Sequence, residues 1–212
     1  MHAEPLLIER AGVRPAVDLS AYLAPTVTLC GDVRVGPDTC ILFGAVITAD
    51  GGPVIIGAGC VVMENAVLRG TKRHPLRVGD GVLVGPRAHL TGCTVGDHAF
   101  LATGATLFNG ATVGARAEVR INGVVHVNSK LAEDETVPIN WIAAGDPARL
   151  FPPDAHDGLW SVQKGLDFPG TVFGIGRTAS GGVDTAALTR RYTAAIRRLT
   201  ADDHIVGSEG AE

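Results

Sequence analysis

Between Leu23 and Lys130 an aliphatic side chain returns at nearly every sixth position. Leu29, Val35, Ile41 and Ile47 open the series, and Val95, Leu101, Leu107, Val113, Val119 and Val125 close it. The fifth position of each complete unit is Ala, Val, Thr or Cys, with Gly123 and Ser129 in the last two. A helix face needs apolar spacings of three and four, so this pattern excludes one. Three six-residue units closing a triangular coil account for it. The first residue points inward, the fifth must fit a corner, and Gly, Asp and Asn make the turns. Stacked coils pair short parallel strands about 4.8 Å apart, with aliphatic ladders up the inside. The seventeen units predict about six coils.

Two interruptions break the beat, "ADGGPVI" at 49–55 and "GTKRHPL" at 70–76, and both must bulge outward. Such insertions tend to collect on the working face of a repeat stack. A slip follows them, because "LTGCT" at 90–94 has five residues instead of six. After Lys130 the beat fades into the Pro-rich "VPINWIAAGDPARLFPPDAH", where Trp141 is expected to cover the open edge of the last coil. Further on, Asp184 is placed to cap a helix whose apolar face is Leu188, Tyr192, Ala195, Ile196 and Leu199. That face is expected against the prism or a neighbouring subunit. The resulting division is a capping segment over 1–22, coils over 23–131, a Pro/Gly-rich extension over 132–183, a helix over 184–203 and a flexible tail over 204–212.

Composition narrows the function classes. A net charge of −4 and no basic run longer than Lys72-Arg73 argue against nucleic acid as a partner. No apolar stretch reaches membrane-spanning length, and "MHAEPLLIERAG" lacks a signal-peptide pattern, so a soluble cytoplasmic protein is expected. Four separated cysteines, with no C-x-x-C pair, read as small buried hydrophobes.

The beat, the "ADGGPVIIG" interruption, the slipped "LTGCTVGD" and the later "GDPAR" together resemble the γ-class carbonic anhydrases, over roughly residues 20–150. The resemblance implies an all-β fold, a left-handed parallel β-helix of hexapeptide repeats with a C-terminal extension ending in a helix. It also implies a homotrimer. In that family three histidines from two neighbouring subunits hold zinc, leaving one position for the water it acidifies. Their counterparts here are Arg69, Pro86 and Thr91. Proline offers no side-chain donor, and a guanidinium is a fixed cation that repels the metal. The supporting residues have changed too. The family's Arg is Thr48, its Gln is Met63 and the acid after the matching Asp50 is Gly51. No cofactor is expected, zinc included.

The cleft that the resemblance implies would be lined by Asp50, Glu64, Arg69, Arg87 and His89. Three functions compete for it. One is binding of a small anion, or a scaffold role, with the cations facing a carboxylate or phosphate. In its bland form an Arg–Asp or Arg–Glu pair simply fills the vacated metal space. The second is acyl transfer from a CoA thioester, with His89 as the base. The third is carbonic anhydrase activity at a metal site rebuilt from His89 and His74.

Overall fold

In the computed structural model, which describes residues 4–178 and 182–206, the chain winds as stacked coils whose strands form three parallel sheets. Interior positions repeat up each sheet without a break. One ladder runs Leu7, Leu29, Ile47, Leu68, Leu90, Leu107, Val125 and Ala143. A second starts at Val17 and ends at Leu131, and the third starts at Leu23 and ends at Val137. Nearly all of these side chains are fully buried. Fifth-position residues such as Ala45, Ala66, Ala88 and Ala105 are buried at the corners, where a larger side chain would push neighbouring strands apart. The fold is therefore the left-handed β-helix that the repeat and the resemblance imply.

The coil count needs correction, to about eight turns rather than six. Strand pairing starts at Leu6, because Leu7 and Val17 occupy interior positions although ten residues separate them. It also continues past Lys130, where Leu131, Val137 and Ala143 keep the inward register behind polar turns. Trp141 packs against the core at that end, as expected.

The slip has a steric cause. Leu90 pairs with Leu107 seventeen residues on, whereas Leu107 pairs with Val125 eighteen residues on. The shortened corner is made by Gly92 at φ 54°, where an added Cβ would sit 2.6 Å from the Cβ of His74 in the second bulge. Only glycine tolerates both the left-handed backbone and that approach.

Both edges of the largest sheet end in antiparallel strands. Arg149–Phe151 folds back on Ile142–Ala144, and His204–Val206 lies along Leu6–Glu9 at the other end. These covers leave no open parallel edge on that sheet to template another chain. Between them the extension runs back down the prism through helix α1 (His156–Gln163), helix α2 (Phe168–Phe173) and helix α3 (Thr185–Leu199). Asp184 caps α3 by accepting from the Ala187 amide at 2.9 Å. Tyr192 on its apolar face meets Phe173 edge-on, with ring centroids 5.9 Å apart. Yet no residue of α3 is buried, so its stripe is only partly covered by its own chain. The His204–Val206 strand stands where a flexible tail was expected, and the tail from residue 207 onward lies outside the described residues.

Leu68 lies mid-ladder with no exposure. Leu68→Ala should lower unfolding free energy by about 2–5 kcal/mol in a denaturant titration. A loss below about 0.5 kcal/mol, the level of a surface change, would mean that the interior is not close-packed there.

Candidate functional site

Second positions of every third unit project outward from the largest sheet, and register lines them up as Cys30, Thr48, Arg69 and Thr91. Asp50 sits two residues beyond Thr48, where the first bulge begins. The guanidinium of Arg69 reaches it, with Nε 3.0 Å from Asp50 Oδ2 in a charge contact without hydrogen-bond alignment. The other carboxylate oxygen, Oδ1, accepts from Arg10 Nη1 at 2.6 Å. Arg10 also donates through Nε and Nη2 to Asp203 at 2.8 and 2.6 Å, a two-pronged pair joining the two ends of the chain. Two cations and two carboxylates thus compensate one another in a half-sheltered cluster. Burial pushes the neighbouring Cys30 thiol up to about 11, so it stays protonated. Thr48 Oγ1 is buried without a partner.

One coil higher, His89 Nε2 lies 2.9 Å from Thr91 Oγ1. Burial, and then the Arg69 charge, hold His89 below the usual imidazole pKa, so it is neutral at pH 7. Asp50, Arg69, Thr91 and His89 therefore share one strip of the prism. Glu64 and Arg87 do not join them. They stack at a different corner, where the Arg87 amide donates to the Glu64 carbonyl at 2.9 Å. Pro86 is at that corner too. It lines a cavity of about 620 Å³ with Met63, Leu83, Phe100, Ile121 and Ile139 on the face of the third sheet.

Arg69, Pro86 and Thr91 do not fit zinc: the set holds one fixed cation, one side chain with no donor and one neutral hydroxyl. Among the described residues no three His, Cys, Asp or Glu side chains converge as a metal-ligand group within the chain.

The apolar cavity and the burial of His126 were not anticipated from the sequence. His126 is 6% exposed, has its Nε2 3.0 Å from Gln163 Nε2, and lies among Phe108 and Phe168 at centroid distances of 6.0 and 5.9 Å. It occupies the same outward ladder as Arg69 and Thr91, so aligning second positions through the repeat would have flagged it. Ile121 and Ile139, exposed at turn positions usually held by polar residues, were the signal for the cavity.

Coil, bulges and slip define a class, the hexapeptide-repeat left-handed β-helix proteins. Within it the chain is γ-carbonic-anhydrase-like in sequence. It is 34% identical over 143 residues to a mitochondrial γ carbonic anhydrase 1 of Arabidopsis thaliana, covering 65% of this chain and 50% of that one. It is 34% identical over 103 residues to a carbonic anhydrase of Geobacillus kaustophilus, covering 49% and 57%. The chain thus spans about half the length of these curated relatives. No protein-family model matches it. Among solved structures, a hexapeptide transferase family protein from Anaplasma phagocytophilum superposes with a TM-score of 0.59 at 24% identity, covering 79% of this chain and 94% of that one. A putative acetyltransferase of Bacillus cereus gives 0.53 at 23%, covering 94% and 99%. At that identity the two structures bear on the fold alone.

Removing Arg10 leaves Asp203 without its cation and Asp50 with Arg69 alone, at carboxylates 20% and 15% exposed. Arg10→Leu should cost about 2 kcal/mol, below the fully buried range because water still reaches the cluster. It should also speed amide exchange at Ile205 and Val206. Unchanged exchange there would show that the pair does not hold the terminal strand.

Proposed function

We propose that this chain is a γ-carbonic-anhydrase-like cytoplasmic protein, working as a homotrimer, that does not hydrate CO₂ through the family's zinc. Its inter-subunit cleft serves instead as a scaffold contact or a binding site for a small anion. The carrying observation is Arg69: the position of the family's first histidine holds a cation oriented by Asp50. Asp50 approaches Arg69 most closely at Nε, and the Arg69 side chain is 35% exposed, so its planar fork is accessible to a carboxylate. His89 and Thr91 supply neutral polar atoms beside it. Binding there draws on the orienting role of Asp50, while Arg10 keeps Asp50 in place.

A second reading, acyl transfer from a CoA thioester, draws support from His89. A neutral imidazole is the form a general base requires. Against it, Nε2 already faces Thr91, and the sequence offers a nucleotide phosphate only the Lys72-Arg73 pair of the second bulge.

The frame can be tested by restoring the donors. A variant combining Arg69→His, Pro86→His and Thr91→His should take up zinc, while the unaltered protein should hydrate CO₂ no faster than buffer. Chelator-sensitive hydration by the unaltered protein would overturn the proposal. A melting-temperature rise with millimolar CoA or acetyl-CoA would move the assignment to the acyltransferase reading.

A further inference from the structure

The second bulge meets the extension in a groove that the cleft reading does not use. Two adjoining cavities, of about 210 and 470 Å³, share Arg73, His74, Thr171 and Gly174 in their walls. Arg73 comes from the bulge and Arg191 from α3, far apart in sequence, yet both guanidinium groups converge on Gly174. An added Cβ there would lie 3.8 Å from Arg73 Nη1 and 3.9 Å from Arg191 Nη2. Lys72 adds a third cation to the wall. Among the described residues none of these three has a carboxylate within ion-pair distance.

Arg191 has one structural task, since its Nη1 donates to the Gly174 carbonyl at the end of α2 at 3.1 Å. Arg73 has none. The single acid in the walls, Asp167, is engaged in capping α2 through the Gly170 amide at 3.3 Å. Holding like charges together without a counter-charge is unfavourable, and an anion bridging the two forks removes that cost. Thr71, Thr171 and Asn128 stand in the same walls with their polar groups engaged within the chain. Thr71 and Thr171 donate to the His74 and Leu166 carbonyls and Asn128 to Thr171 Oγ1, so the two guanidinium groups carry the recognition.

We propose that this groove is a binding site for a phosphate-bearing small molecule, gripped between Arg73 and Arg191. The site is independent of Arg69, whose charge Asp50 already offsets. Two charged forks suit a tetrahedral dianion better than a single carboxylate.

The test titrates the full-length protein by calorimetry with inorganic phosphate, pyrophosphate and adenosine 3′,5′-bisphosphate in turn. Phosphate or pyrophosphate binding alone identifies a free anion as the occupant. Tighter binding of the bisphosphate identifies a phosphate ester of a larger molecule. Under either outcome, Arg73→Gln and Arg191→Gln should each weaken binding at least tenfold, and Arg73→Lys should restore only part of it. Arg198→Gln removes the same charge from another position on α3 and should leave affinity unchanged. No binding of any probe at low-millimolar concentration would overturn the proposal, as would equal loss with Arg198→Gln. Loss with Arg69→Gln but not Arg73→Gln would overturn it as well, while leaving the cleft reading intact.

Discussion

The interior of the triangular coil admits one aliphatic side chain per edge and one small side chain per corner, and the rest of the molecule answers to that restriction. Leu68 stacks between Ile47 and Leu90 because each coil must return the same shape to the same place. Extra residues can only go outward, which is how the segments around Gly52 and Lys72 become bulges. A missing residue must be absorbed at a corner, and Gly92 absorbs it by taking a backbone conformation that other residues resist. The rigid interior therefore decides where variable, chemically active groups can stand.

On that frame, the positions that the resemblance assigns to metal ligands carry Arg69, Pro86 and Thr91. Arg69 stands outward on the strip where the γ-class resemblance places a metal ligand, and Asp50 orients it. Arg10 then ties Asp50 to Asp203, so the first coil, the first bulge and the end of the extension are linked through one guanidinium. This network also sets the charge balance: the strip around Arg69 is compensated, whereas the groove between Arg73 and Arg191 is not.

How much of this was legible depended on whether the signal was periodic. The six-residue beat identified the fold, and the interruptions located both bulges, since hydrophobic spacing is imposed by the interior at every coil. The count fell short at both ends, because the ten-residue step from Leu7 to Val17 hides the first coil and the inward register of Leu131, Val137 and Ala143 continues past Lys130 behind polar turns. Asp50 and Arg69 were legible as partners because they fall on adjacent strands one diagonal step apart, Arg69 pairing with Thr48 and Asp50 with Thr71. Glu64 and Arg87 were grouped with them as lining of the cleft that the resemblance implies, and within one chain they stand together at another corner. Arg10 and Asp203 could not be paired in advance, because nothing local records that the extension runs back the length of the prism. The nest of His126, Phe108 and Phe168 depends on that same return.

On this reading the frame of the zinc site persists without zinc, and elemental analysis of protein purified without a metal-affinity tag decides it. No stoichiometric metal per protomer is expected. Close to one zinc per protomer would contradict it, and would require ligands other than Arg69, Pro86 and Thr91.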